Sequence, residues 1–316
     1  MLDVVTLGES MVQLTPTRTG LLRYASHFER FVAGAESNVA IGLSRLGYRT
    51  GWIGRVGADE LGACVVASIR GEGVDVSQVV YDEEAPTGVY FKERRHPGLT
   101  RVYYYRAGSA GSRLAPSNLD AAYIREARYL HLTGITPALS TSCRETVWRA
   151  IRIANEAQVP ISFDPNLRRR LWAEEEARSV LLEMLACAHL VLASVEEAAF
   201  LTGEDDPEAA ARILQDMGPG QVVVRLGADG ALAIGESGAL EYKPALAVDV
   251  VEAVGAGDAF NAGFLAGQLR RWDLAQSLHL GNILGGLATT VPGDVEGLPT
   301  WAEVQPYLGG DEMVDR

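Results

Sequence analysis

Val254-Gly255-Ala256-Gly257-Asp258-Ala259-Phe260-Asn261-Ala262-Gly263 opens glycine-rich and runs into small and apolar residues, continued by Phe264, Ala266 and Gly267. That change of texture marks a loop feeding a helix start, where the first backbone N–H groups have no intrahelical partner and the dipole favours negative charge. Gly255 and Gly257 let the backbone close on an anion without side-chain obstruction. With Ala256 between them they form a nest suited to the charge on a transferring phosphoryl group. Asp258, in the first turn, is placed to take the proton of an attacking hydroxyl. The plainer reading, that Asp258 is an N-cap, stays open on this stretch alone. The third glycine of the dinucleotide fingerprint is missing. With lysine only at 92 and 243, no Gly-x-x-x-x-Gly-Lys-Ser/Thr loop exists either.

Outward from this stretch, short apolar runs alternate with amphipathic ones, as βα units feeding a parallel sheet require. Strands are expected at Asp3–Leu7, Thr50–Val56, Tyr129–Thr133, Pro160–Asp164, Leu190–Ala193 and Gln221–Leu226. Helices are expected at Glu36–Leu46, Glu60–Gly71, Ser140–Ala157, Glu174–Ala186 and Pro207–Met217, then at Gly257–Arg270 and Leu274–Thr290. Ser10–Ala33 and Val76–Arg106 break the rhythm. They alternate and carry aromatics, as in Gly88-Val-Tyr-Phe-Lys-Glu and Arg101-Val-Tyr-Tyr-Tyr-Arg. They read as hairpin-like strands outside the main sheet, either a lid or a plain edge extension.

Composition narrows the function. The 316 residues carry a net charge of −13, which argues against nucleic acid or an anionic membrane as partner. Cys64, Cys143 and Cys187 are too scattered for a disulfide framework or zinc site. Neither a transmembrane run nor a signal-peptide pattern is seen, so a cytoplasmic location is expected. The histidines show no metal-ligand spacing. Lys92 and Lys243 lie in alternating strand segments expected to be exposed, which counts against Schiff-base (aldolase) chemistry.

The Gly-Ala-Gly-Asp helix start resembles the second signature of the ribokinase-like (pfkB) carbohydrate kinases. A counterpart of their first signature stands at Ala33-Gly34-Ala35-Glu36-Ser37-Asn38-Val39-Ala40, followed by Gly47 and Gly57. The resemblance spans nearly the whole chain. It implies a single ribokinase-like α/β/α sandwich over 1–316, mainly parallel, with a β-lid from about 10–33 and 76–106. It also implies ATP and Mg²⁺ as cofactors and Asp258 as base. The exposed edges of such a lid are often buried against another subunit, so a homo-oligomer through the lid is expected. By the same resemblance Asn166, Ser194, Arg225, Gly227, Gly230, Gly255, Gly257 and Asn282 would serve the nucleotide, and Glu197 the hydrated magnesium. The chain departs from the family at Glu252-Ala253, where Asp-Thr or a near relative is usual, and at Ser194, where asparagine is.

The substrate reading rests on two arginines. Arg168 follows Asp164-Pro165-Asn166-Leu167 at the carboxyl end of a buried strand, where ligands bind in open α/β sheets. Arg106 comes off the expected lid beside Tyr104, with Tyr90 on the partner strand. Two guanidinium groups on one pocket of an acidic protein point to an anionic substrate. With Ser109–Ser112 and the Gly293–Gly297 loop, this resembles 2-keto-3-deoxygluconate kinases in particular. It implies that Gly34, Ser37 and Asn38 bind sugar hydroxyls, that Arg106 and Arg168 bind the carboxylate, that Tyr90 and Tyr104 line the chain, and that Asp294 meets a further hydroxyl. The expected reaction is phosphorylation of 2-dehydro-3-deoxy-D-gluconate at its 6-hydroxyl. The alternatives are a same-fold kinase for 2-dehydro-3-deoxygalactonate or fructose, or a non-catalytic sugar-acid sensor.

Overall fold

The computed structural model describes residues 1–96 and 99–309; positions 97 and 98, inside the expected lid range 76–106, and 310–316 lie outside the described residues. Among the described residues are thirteen strands: β1 (Val4–Leu7), β2 (Met11–Pro16), β3 (Phe28–Ala33), β4 (Thr50–Gly57), β5 (Val79–Asp82), β6 (Val89–His96), β7 (Leu99–Tyr105), β8 (Tyr129–Thr133), β9 (Ile161–Asp164), β10 (Leu190–Ser194), β11 (Gln221–Arg225), β12 (Ala231–Ile234) and β13 (Leu240–Lys243).

Nine of them form one sheet in the order β13-β12-β11-β10-β9-β8-β1-β4-β5. Pairing is parallel from β11 to β5 and antiparallel for β11–β12 and β12–β13. Its strands are buried on both faces because side chains alternate between two cores. Val4 packs into one and Val5 into the other, and Leu190 and Leu192 oppose Val191 and Ala193 in the same way. Strand order runs outward from β1 in one direction and from β8 in the other. The carboxyl ends of these two strands therefore flank a topological switch point, where open α/β sheets bind ligands.

Helices fall where the caps and apolar periodicity place them, with boundaries shifted by one or two residues. Ser140 caps Thr141–Glu156 by accepting from Cys143 N–H, and Asp206 caps Pro207–Asp216 by accepting from Ala209 N–H. Helix Ala256–Leu269 packs against both helix Leu274–Ala288 and helix Ala35–Arg45, which brings both glycine-bearing stretches to one end of the sheet. No helix among the described residues is long and apolar enough to cross a membrane.

A separate four-stranded sheet has the order β3-β2-β6-β7. Here the structure differs from the expected boundary: residues 79–82 form β5, parallel to β4 in the large sheet. Alternation alone cannot tell which sheet a short strand joins. Lys92 also departs from expectation. It lies on β6 with 1% exposure, one of the most buried side chains of the chain, because β6 turns that face toward the loops ahead of helix Ala256–Leu269.

Candidate active site

A cavity of about 430 Å³ opens at the carboxyl ends of β1, β8, β9, β10 and β11 and is covered by β6 and β7. Its floor is set by an arginine that satisfies several acceptors at once. Arg225, at the end of β11, donates to both Asp164 oxygens (3.2 and 3.1 Å), to Asn261 Oδ1 (2.6 Å), to Gly257 O (3.3 Å) and to Glu197 Oε2 (3.5 Å). Asn261 in turn donates to Asp164 Oδ2 at 2.7 Å. Burial, the largest single influence, would raise the Asp164 carboxyl, but the charge and hydrogen bonds of Arg225 together with His131 and the Asn261 hydrogen bond outweigh it and hold the group below its usual range. Glu197 is raised instead, by burial and by the neighbouring Asp164 charge. This network ties β9, β10 and β11 to the start of helix Ala256–Leu269.

Gly255 is the N-cap of that helix at φ +83°, and a Cβ there would lie 2.6 Å from Asp294 O. Both facts require glycine. Asp258 follows in the first turn, half-buried, and its Oδ2 accepts from Asn38 Nδ2 at 2.8 Å. Asn38 is held at the start of helix Ala35–Arg45, where its own Oδ1 accepts from Gly34 N–H at 3.4 Å. Ser37 donates to Gly34 O at 3.0 Å and accepts from Ser10 Oγ at 2.7 Å. Burial drives the Asp258 carboxyl up to about 8; Asp164 and Asp294 push the same way, while Asn38 and Arg168 oppose them. A carboxylate with that affinity for a proton is matched to abstracting one near neutral pH.

The other end of the cavity is cationic. Arg106 is fixed by Glu9, with Nε to Oε2 at 2.7 Å and Nη2 on the same oxygen, while Ser109 donates to Oε1. The guanidinium also lies 5.7 Å from the Tyr104 ring centre. Tyr104 leans on Tyr90 with centroids 5.4 Å apart, and the buried Tyr90 hydroxyl donates to Gln13 at 2.5 Å. Arg168 is exposed, and its side chain makes no ion pair or hydrogen bond among the described residues. One guanidinium is thus held in place and the other is open to a ligand.

Residues 1–301 match the description of the pfkB family of carbohydrate kinases. The chain belongs to that family. It is 38% identical to a 2-dehydro-3-deoxygluconokinase of Bacillus subtilis, over 99% of this chain and 97% of that one. It is 40% identical to a 2-dehydro-3-deoxygluconokinase of Thermoproteus tenax, over 98% and 94%. The crystal structure of 2-dehydro-3-deoxygluconokinase from Thermotoga maritima superposes with a TM-score of 0.90 at 26% identity, covering 98% of this chain and all of that one.

Most positions expected to serve this pfkB kinase meet at the cavity: Gly34, Asn38, Tyr90, Tyr104, Arg106, Asn166, Arg168, Ser194, Glu197, Arg225, Gly255, Gly257, Asp258 and Asp294 all line it. Ser37 and Ala256 lie directly behind the wall, in helices whose first residues reach it. Three nucleotide positions do not line this cavity. Gly227 and Gly230 bound the turn between β11 and β12. Asn282 donates to Lys243 O (2.9 Å) and Pro244 O (3.0 Å), clamping the exit of β13 to helix Leu274–Ala288. Glu197, expected at the metal, already accepts from Leu167 N–H and Ser194 N–H, both at 2.8 Å.

Several residues of the kinase site escaped the sequence reading. Glu9, 4% exposed, is the partner that orients Arg106. Its position directly after the first buried strand was a usable signal, since strand ends build sites in this architecture. Asp164 and Asn261 were in view as parts of quoted stretches, but the arginine that joins them comes from a strand more than 60 residues away in one case and 36 in the other.

Proposed function

We propose that this pfkB kinase transfers the γ-phosphoryl group of ATP to the 6-hydroxyl of 2-dehydro-3-deoxy-D-gluconate. The observation that carries the reading is the polarity of one cavity: a proton-accepting carboxylate at a helix start at one end, and two arginines, one of them without a protein partner, at the other. An acyclic or ring-closed sugar acid has the complementary polarity, with a carboxylate at one terminus and a primary alcohol at the other. Neutral hexoses would leave Arg168 unpaired. The names of the similar enzymes from B. subtilis, T. tenax and T. maritima support the same substrate.

In the proposed reaction, Arg106 and Arg168 fix the carboxylate, and Gly34, Ser37, Asn38 and Asp294 receive hydroxyls. This leaves the 6-hydroxyl beside Asp258. Asp258 takes its proton as the oxygen bonds to the γ-phosphorus, and the bond from that phosphorus to the bridging oxygen of ADP breaks. The N–H groups of Gly257 and Asp258 stabilise the charge on the equatorial oxygens. Asn38 keeps the carboxylate aimed. The small sheet acts as the lid, with Tyr90 and Tyr104 shielding the reacting atoms from water.

Magnesium suits the donors present. Asp164 and Glu197 face the single guanidinium of Arg225, so that side of the cavity carries an excess carboxylate. Both groups are engaged by protein donors, so they would hold a metal through its water shell, as Mg²⁺ allows. The ion would supply charge neutralisation for the ATP phosphates. Ser194 and Asn166 lie at the strand ends nearest this acidic side, while the β11–β12 turn with Gly227 and Gly230, and Asn282 beyond it, would flank the rest of the nucleotide. The outer face of the small sheet exposes Phe28, Tyr103 and Tyr105, and we read it as the surface through which a homo-oligomer forms. A cytoplasmic setting fits a pathway kinase that draws on ATP.

The test is ADP release with ATP and Mg²⁺ over a panel containing 2-dehydro-3-deoxygluconate, its galactonate epimer, fructose and ribose. Turnover confined to the sugar acids supports the reading. Faster turnover of fructose would overturn the assignment of the arginines while leaving the kinase.

A further inference from the structure

Lys92, on β6 of the small sheet, belongs to none of the roles above. Its side chain is 1% exposed, and its Nζ lies 2.5 Å from Glu252 Oε1 and 3.7 Å from Asp294 Oδ1. Glu252 is itself half of a clamp: its Oε2 accepts from Gly293 N–H at 3.2 Å and from Arg94 Nη2 at 3.0 Å. Both carboxylates are nearly buried, at 8% and 9% of side-chain exposure. One ammonium therefore joins three separate segments: the covering strand, the loop three residues ahead of Gly255, and the loop whose Asp294 carbonyl presses on Gly255.

We propose that Lys92 is a positioning residue for phosphoryl transfer, holding the glycine nest at the start of helix Ala256–Leu269 in its anion-binding shape whenever the small sheet is docked. The argument is one of geometry and charge. The backbone of Asp294 packs directly against Gly255, and the loop that carries it is anchored through Glu252 and Asp294 to Lys92. Without the ammonium, two buried carboxylates repel one another beside the place where phosphoryl charge builds up. The nest would loosen and the local field would turn against the transition state. Arg106 and Arg168, at the far end of the cavity, are not part of this cluster. A defect here should therefore fall on kcat and spare the grip on the sugar carboxylate. The cluster also accounts for Glu252, where the chain departs from its family: the longer acid is the one that meets a lysine from the covering strand.

The proposal rests on the kinase reading, so each variant is assayed beside wild type and Asp258→Asn. Lys92→Met keeps the length and apolar stem and removes the charge. The expected result is a kcat about 30-fold lower or worse, with the KM for the sugar acid within about threefold of wild type. Lys92→Met/Glu252→Gln removes the stranded partner charge as well; it should melt nearer to wild type than Lys92→Met does, yet keep a kcat at least about tenfold low. That split separates positioning from mere folding support. A folded Lys92→Met with wild-type kcat, or a loss confined to KM, overturns the proposal. Full recovery of kcat in the double variant does so too, and this arm decides the matter if Lys92→Met alone fails to fold. An inactive wild type would instead overturn the kinase reading.

Discussion

Asp258→Asn should make the protein more stable as it makes it inactive. The carboxyl is moved from an ordinary 3.8 to about 8, chiefly because it is shut away from water. At pH 7 such a shift disfavours the folded state by ~4 kcal/mol, and screening at a half-buried side chain reduces this to ~2 kcal/mol. Asparagine has the same shape, still accepts from Asn38, and carries no charge to desolvate. For a chain of this length the gain corresponds to a rise in Tm of ~3 °C. The pH dependence has a definite sign. Below pH about 3.8 the carboxyl is protonated in both states and the variant gains nothing. Above that value the unfolded-state carboxyl ionises first, so wild-type stability falls relative to the variant until the folded-state group ionises near 8. The assay pairs thermal and urea unfolding at pH 4, 7 and 8.5 with kcat, which should drop about 10²- to 10⁴-fold on loss of the base. An unchanged or lower Tm at pH 7 would refute the reasoning, as would a gain that persists undiminished at pH 4.

The same carboxyl should set the rate profile: kcat/KM for ligand-free enzyme should reach half its plateau near pH 8 and fall about tenfold per unit below it, and a flat profile from pH 6 to 8 would contradict that. Arg168→Gln should raise the KM for a sugar acid by about 10- to 100-fold, the worth of a charge-assisted hydrogen bond, while leaving the weak turnover of a neutral sugar unchanged; steady-state kinetics on both substrates decides it. Gly255→Ala should destabilise the fold by about 1–3 kcal/mol, since it combines strained backbone with a clash, whereas Gly257→Ala, whose Cβ would lie 3.4 Å from Arg225, should fold normally; equal unfolding midpoints for the two would be inconsistent with the geometry.

Local sequence determined a great deal here, because the signals involved are short-range. Period-two and period-3.6 patterns placed the six expected sheet strands and the seven expected helices to within a residue or two, but not β12, β13 or the short helices Ala121–Arg125, Ile135–Leu139, Val195–Thr202 and Trp301–Leu308. Gly255-Ala256-Gly257-Asp258 announced a helix start built for an anion with a proton acceptor beside it. The resemblance across Gly34–Asn38 and Gly255–Asp258 then named the family, since two ordered motifs on separate helices converge only in a particular fold. What the chain could not declare by itself is which distant groups neutralise one another. Lys92 reads as an exposed strand residue until β6 is folded over Glu252 and Asp294. Nothing local to Arg106 tells that β1 brings Glu9 beneath it, and nothing local to Asn282 tells that its amide meets the carbonyls at the exit of β13. A side chain's local pattern reports the face it occupies. Its partner, its burial and hence its charge state depend on long-range packing, and only the tertiary structure decided those.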